Sequence, residues 1–365
     1  MKIKKEKHLF LSLILSLFVT TSFHSVAQPR YDKNKLKCEK LNRGVVAIRE
    51  NGKVYVSWRT LSTDATGQAF DVYRNGTKLN KKPLKKGGTF FIDEQPLTND
   101  AIYEVRGGGL KGAYTLKADA PDGYLPIPIE KPEGGTSPDG FRYTYTANDA
   151  SIGDVDGDGQ YEIFLKWDPT NAKDNMFAGF TGNTYIDCYR LDGTRLWRID
   201  LGQNIRSGAH YESFMVYDFD GDGRAELMVK TADGTVDGLG KVIGNADADW
   251  RHGIAAIKAN PEAYLQKIKE EGEEAIRRRQ QWEEIEKTLP ATMTKTEIHN
   301  KRRSFLNAKN DNYTGRILDG PEYISVFNGL TGAVMDTKDY IPERGEMKAW
   351  GDDHANRSER YLAAV

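Results

Sequence analysis

Apolar and polar residues alternate through much of the first third of the chain. Val54-Tyr55-Val56-Ser57-Trp58 and Phe70-Asp71-Val72-Tyr73-Arg74 follow the two-residue period of half-buried strands, and Asn75-Gly76 is a tight hairpin signal. Phe90-Phe91-Ile92-Asp93 and Ile102-Tyr103-Glu104-Val105 continue the pattern. This predicts a small antiparallel, β-sandwich-like module over residues 38–120. Pro121, Pro126, Pro128 and Pro132 then break regular structure, so residues 121–138 are expected to form a linker.

Beyond it the pattern repeats. Ser151-Ile152-Gly153-Asp154-Val155-Asp156-Gly157-Asp158-Gly159 recurs 64 residues later as Met215-Val216-Tyr217-Asp218-Phe219-Asp220-Gly221-Asp222-Gly223. Each copy runs into an apolar strand, Ile163-Phe164-Leu165-Lys166 and Leu227-Met228-Val229-Lys230. A second element also recurs, with Tyr185–Tyr189 leading to Asp192-Gly193 and Tyr323–Phe327 leading to Asn328-Gly329. A degenerate third copy aligns Gly351-Asp352 with Gly153-Asp154 and puts Tyr361–Val365 in the strand position. Short strands at this period predict a mainly β fold, as blades of a β-propeller or a stacked β array, over residues 139–365. The third copy stops inside its strand, so the chain is expected to be a C-terminally truncated fragment.

One segment breaks the period. Residues 249–310 have a helical pattern: Asn260 is placed as an N-cap before Pro261, and Glu, Lys, Arg and Gln dominate to about Leu289. Thr294 and Glu297 form a capping box for a second helix ending near Leu306. A solvated helical hairpin is expected here, serving as a plain loop insertion, a substrate-cleft wall or a docking site. At the other end, Lys2, Lys4, Lys5 and Lys7 precede an apolar run from Leu9 to Val19 and a small-x-small Ser25-Val26-Ala27. The run is shorter than the ~20 residues that span a bilayer. Residues 1–27 therefore read as a cleaved signal peptide, and the protein as secreted, periplasmic or at the cell surface, with no membrane span.

Composition narrows the partners. Lys and Arg number 52 against 53 Asp and Glu, so no net charge draws the 365-residue chain to nucleic acid. The 36 glycines and 18 tyrosines agree with a turn-rich β fold. Cys38 and Cys188 are the two cysteines, and export permits a disulfide without implying one. Phosphate-binding loops, HExxH and a Ser nucleophile elbow are all absent from the sequence.

The strongest chemistry lies in the two Asp-rich loops. Calcium takes six to eight oxygen ligands in a flexible geometry, and alternate aspartates in a Gly-rich turn can aim at one centre. The candidate ligands in the first loop are Asp154, Asp156, Asp158, the carbonyl of Gln160, and Glu162. In the second they are Asp218, Asp220, Asp222, the carbonyl of Arg224, and Glu226. Without a cation these carboxylates would repel one another. The third copy offers Asp352, His354 and Asn356, with Arg360 in place of the closing acid. Asp233, Asp237, Asp247 and Asp249 could hold another ion or simply turn the chain, and His210 is a lone histidine before a repeat strand.

The stretches Asn148–Gly159, Leu165-Lys166-Trp167-Asp168-Pro169, Leu191–Gly202, Ser207–Tyr211 and Lys230–Gly238 closely resemble polysaccharide lyase family 11, and Leu318–Tyr323 and Trp350–Asp352 extend the match. The resemblance implies an eight-bladed propeller with bound calcium. It also implies β-elimination cleavage of rhamnogalacturonan I, the pectin backbone of alternating rhamnose and galacturonate. Asn148 and Asp168 lie in the motifs that line the family's central cleft, which makes them candidate substrate contacts. The catalytic base is not identified within this chain and is expected beyond Val365. The alternative is a non-catalytic, calcium-stabilised propeller that binds carbohydrate or mediates adhesion.

Overall fold

The computed structural model describes residues 39–208, 211–307 and 313–359. The segment expected as a signal peptide, Cys38, His210 and the strand expected at Tyr361–Val365 lie outside the described residues.

The alternating stretches of the first third form seven strands. These are β1 (Val46–Glu50), β2 (Lys53–Ser57), β3 (Asp71–Arg74), β4 (Thr77–Lys78), β5 (Phe90–Asp93), β6 (Ala101–Gly107) and β7 (Leu110–Leu116). They pair antiparallel into two sheets, β1-β2-β5 and β4-β3-β6-β7. Val54, Val56, Trp58, Val72, Tyr103 and Val105 pack into one apolar cluster. The β3–β4 hairpin turns through Asn75 and Gly76 with φ of 48° and 78°, the two positive angles that this turn class demands. Arg43 is fully buried, and its guanidinium donates to both carboxylate oxygens of Asp64, at 2.6 and 2.7 Å.

After a short hairpin of β8 (Gly135–Thr136) and β9 (Arg142–Tyr143), the two repeat copies each build an antiparallel sheet. The first contains β10 (Tyr145–Gly153), β11 (Glu162–Pro169), β12 (Tyr185–Tyr189) and β13 (Arg195–Asp200). The second begins with β14 (Phe214–Tyr217) and β15 (Glu226–Ala232). A small hairpin, β16 (Thr235–Val236) and β17 (Val242–Ile243), adds to the edge of the first sheet through Asp200 opposite Val236. Three helices follow: α1 (Ile254–Ala259), α2 (Pro261–Lys287) and α3 (Lys295–Asn307). The second sheet is then completed by β18 (Glu322–Asn328) and β19 (Val334–Asp339). The helical insertion thus sits between the second and third strands of the second sheet.

The two sheets share a core. Phe164, Ile186, Cys188, Trp197 and Ile199 from the first sheet pack with Leu227, Val229 and Phe327 from the second. Trp197 crosses between them: its indole N–H donates to the Gly329 carbonyl at 2.7 Å, and its ring meets Phe164 edge-on at 5.6 Å. Cys188 is a free, buried thiol in this core.

The helices end where capping chemistry predicts. The Asn260 side chain accepts the Ala263 N–H at 3.0 Å. Thr294 and Glu297 exchange the reciprocal bonds of a capping box. Trp282 and Phe305 hold α2 against α3 at 5.8 Å, while Ile254 and Ile257 bury against Phe180. Among the described residues, no helix is long and apolar enough to cross a membrane.

Trp197→Ala should cost about 3–5 kcal/mol in denaturant unfolding, because it removes a large buried ring and leaves a cavity between the sheets. Trp197→Phe keeps most of the ring but orphans the Gly329 carbonyl, and should cost about 1–2 kcal/mol.

Candidate functional site

Two places in the repeat sheets concentrate charge, and they lie at opposite ends of β11. At its start, the turn from β10 is organised by Asp154, which is fully buried. Its two carboxylate oxygens accept the N–H groups of Gly157 and Gly159, both at 2.8 Å. Asp156 accepts the Asp158 N–H, Asp158 accepts the Gln160 N–H, and Glu162 accepts the Val155 N–H at 2.9 Å. The second loop repeats this bond for bond. Asp218 takes Gly221 and Gly223, Asp220 takes Asp222, Asp222 takes Arg224, and Glu226 takes Phe219. Gly157, Gly159, Gly221 and Gly223 all have φ between 79° and 98°, which a side chain would strain.

Asp154, Asp156 and Glu162 bring carboxylate oxygens within 4.8 Å of one another, and so do Asp218, Asp220 and Glu226. Asp158 and Asp222 are exposed on the loop rims. Burial, reinforced by the neighbouring aspartates, pushes Glu162 and Glu226 up to about 7. Arg190 reaches Asp156 at 2.8 Å, whereas among the described residues no ion pair reaches the second loop. An all-oxygen donor set carrying unbalanced negative charge suits a hard divalent cation.

Among the described residues, the third copy does not form such a group. Asp352 accepts the N–H groups of His354 and Arg357, at 3.1 and 2.8 Å. His354 instead turns to Asp353, and Asn356 accepts from the Tyr211 hydroxyl. The alignment of Asp352 with Asp154 is therefore corrected. Glu359 meets Lys230 as Glu212 meets Lys166, so this stretch corresponds to the approach to β14 rather than to an Asp-rich loop. Asp233 and Asp237 also act in turns. Asp233 accepts from Asn245, Trp250 and Tyr323, and Asp237 accepts from Leu239, Lys241 and Val334. Asp249 is paired with Arg251 and Lys258.

At the far end of β11 the chemistry differs. A β-bulge between Ala147 and Ala150 sets Asn148 and Asp149 across from Lys166. Asn148 is exposed. Lys166 and Asp168 share a face of β11, two residues apart. The Lys166 ammonium is almost completely buried and lies 3.1 Å from Asp149, 4.0 Å from Asp168 and 4.0 Å from Glu212. At 4.0 Å it does not hydrogen-bond, and one oxygen each of Asp168 and Glu212 is buried without a partner. The structure thus places Asp168 in this cluster and Asn148 in the bulge opposite Lys166. It adds Asp149, Lys166 and Glu212, which the motifs did not single out. A signal for Lys166 was present: a lysine stands inside the apolar strand four residues after the closing acid in both copies.

The second copy has the same buried lysine in a balanced setting. Lys230 pairs with Glu322 at 3.0 Å and with Glu359, while Arg344 pairs with Glu322 at 2.9 Å and with Glu359 at 2.7 Å. Two cations there face two carboxylates. In the first copy one cation faces three.

Comparison with known proteins locates both sheets. Residues 124–280 and 297–365 match the family model for the C-terminal domain of rhamnogalacturonan lyase family 11. Residues 36–111 match the rhamnogalacturonan I lyase beta-sheet domain. The chain is 41% identical over 366 residues to rhamnogalacturonan endolyase YesW of Bacillus subtilis (strain 168), covering 100% of this chain and 49% of YesW. It is 42% identical over 334 residues to rhamnogalacturonan exolyase YesX of the same organism, covering 91% and 44%. The solved structure of Bacillus licheniformis rhamnogalacturonan lyase PL11 superposes with a TM-score of 0.66 at 44% identity, over 89% of this chain and 45% of that one. The chain spans about half the length of the curated relatives it matches.

Burial pushes the Glu212 carboxyl up to about 8, and the attraction of Lys166 only partly offsets this. A carboxyl with a raised pKa in the fold contributes stability that is fully present below the ordinary glutamate range and is lost as pH rises toward 8. Calorimetric melts of wild type and Glu212→Gln should therefore diverge. The variant should gain on wild type by up to about 1.4 kcal/mol per pH unit between pH 5 and 8. A difference that stays flat across this range would show Glu212 ionised and paired with Lys166.

Proposed function

The chain belongs to rhamnogalacturonan lyase family 11, and from that membership we propose that it serves β-elimination cleavage of rhamnogalacturonan I in pectin. The observation that carries this is identity above 40% to two rhamnogalacturonan lyases over nearly the whole chain. The two antiparallel repeat sheets are proposed as blades of a propeller, and the protein as exported by the basic and apolar segment at its start. A purely binding or adhesive propeller is the weaker reading, because the buried, charge-unbalanced cluster at Asp168 is more than calcium-assisted folding requires.

β-Elimination needs the substrate carboxylate neutralised, the C5 proton removed and the C4 oxygen released. Binding comes first, and here Asn148 and Asp168 are proposed to act. The exposed Asn148 amide can both donate to and accept from sugar hydroxyls. The Asp168 carboxylate can accept from a hydroxyl; burial raises its pKa, and Lys166 behind it offsets only part of that rise. Lys166, buried beside three carboxyl groups, is placed as an electrostatic anchor.

The two Asp-rich loops are proposed to hold calcium through Asp154, Asp156 and Glu162 and through Asp218, Asp220 and Glu226, with Asp158, Asp222 and the carbonyls of Gln160 and Arg224 completing the shells. Bound there, the ion would cancel the loop charge. Glu162 and Asp168 are six residues apart on one strand, roughly 20 Å at ~3.3 Å per residue. The residues of these loops therefore support the fold and do not reach the sugar.

Rhamnogalacturonan I incubated with the complete reading frame should yield an unsaturated uronate, read by its ultraviolet absorbance, and this chain should bind the oligosaccharide. A lack of product and of oligosaccharide binding, with calcium binding intact, would favour the binding-propeller reading on another glycan. Chelation should lower the melting temperature, with each loop losing about 2.7 kcal/mol relative to calcium at a hundredfold excess over its Kd. An unchanged melt would remove calcium from the account. Asp168→Asn should weaken oligosaccharide binding about tenfold with little change in melting, as should Asn148→Ala; unchanged affinity would take either residue out of the site.

A further inference from the structure

We propose that the turn from Asn175 to Gly179 presents Phe177 as a stacking platform for a rhamnose ring of the polysaccharide backbone. This subsite rests on the rhamnogalacturonan reading above.

An exposed phenylalanine alone says little, because folded surfaces carry many apolar atoms. Phe177 stands out because of how its backbone is held. Phe177 is 65% exposed and Met176 beside it is 41% exposed. Beneath them lie two guanidinium groups, on Arg206 and Arg316, both nearly completely buried. Arg206 donates to the carbonyls of Phe177 at 2.7 Å, Gly179 at 2.9 Å and Gly315 at 2.6 Å. Arg316 donates to the carbonyls of Asn175 at 2.7 Å and Met176 at 3.2 Å. The Tyr211 hydroxyl accepts the Asn175 N–H at 2.8 Å, and the Asn175 amide donates to the Ala355 carbonyl at 3.0 Å. Burying two cations to bind four carbonyls of this turn and that of Gly315 is costly. The result is a loop that is rigid in its main chain and open at its two apolar side chains.

Its position selects the occupant. β11 ends one residue past Asp168, the chain reaches the turn at Asn175, and the turn is anchored on Tyr211, the neighbour of Glu212. These two connections tie the turn to the elements that carry the cluster proposed to bind the polysaccharide. Of the two sugars in that backbone, rhamnose is the one with a methyl group at C6 and no charge. Its apolar face suits a phenyl ring, whereas the galacturonate carboxylate suits cations and amides. Fixing the main chain that carries the ring also reduces the ordering cost of association.

The test is isothermal titration of the full chain with a rhamnogalacturonan I tetrasaccharide, and with a homogalacturonan tetrasaccharide that lacks rhamnose. Phe177→Ala should weaken the first roughly tenfold and leave the second unaffected, and Phe177→Trp should restore the affinity. The melting temperature of Phe177→Ala should match wild type, since the ring is exposed. Unchanged affinity in Phe177→Ala would overturn the platform and leave the lyase reading standing. Equal weakening on both tetrasaccharides would overturn the rhamnose assignment. Absence of binding by wild type to either would overturn both the platform and the substrate reading.

Discussion

Two buried aspartates, Asp154 and Asp218, each gather a pair of glycine N–H groups, and the layout of both repeat sheets follows from that act. A carboxylate placed among backbone donors folds the chain back within a few residues. The closing glutamate then ties the turn to the start of the next strand. Gly153 is thereby set opposite Glu162, and Tyr217 opposite Glu226. Strand register is decided at that point, because a one-residue slip would send every following side chain to the other face. Lys166 and Lys230 owe their buried positions to it.

Those two lysines show how one architecture can hold two different charge states. Lys230 belongs to a closed set of two cations and two carboxylates, in which each ion has an opposite neighbour. Such a set offsets the desolvation of its members but adds little beyond that. Lys166 is outnumbered three to one, and two of its carboxylate neighbours keep unpartnered oxygens. The bulge at Asn148 and Asp149 creates the difference by turning an extra acid toward the lysine. An imbalance of this kind destabilises the fold, and it is located where the family's substrate contacts are expected.

Local chemistry was readable from the residue order; long-range pairing was not. The Asp-rich loops, the Asn75-Gly76 hairpin, the Asn260 cap and the Thr294–Glu297 box each depend on residues a few positions apart, and all form as expected. The Lys166 cluster joins residues 149 to 212, and the arginines under Phe177 act across as many as 141 positions. No local pattern encodes such meetings. The misplaced third copy has the same origin. Gly351-Asp352 looks like the start of a loop, yet the partner that fixes its register is Glu359, whose role shows only once Lys230 is found beside it.

The geometry also divides the labour between the ends of β11. Anything bound by the Asp-rich loop is about a strand length from Asp168, roughly 20 Å or about two Debye lengths at physiological salt. Charge cancelled in the loop therefore stabilises the strand without entering the chemistry at its other end. The bulge and the approach to β14 meet at the Asp168 end, through Asp149 and Glu212 beside Lys166. Neither sheet needs them to close its core: Trp197, Phe164 and Leu227 already accomplish that. The carboxylate oxygens left unpartnered there are left for a ligand rather than for packing.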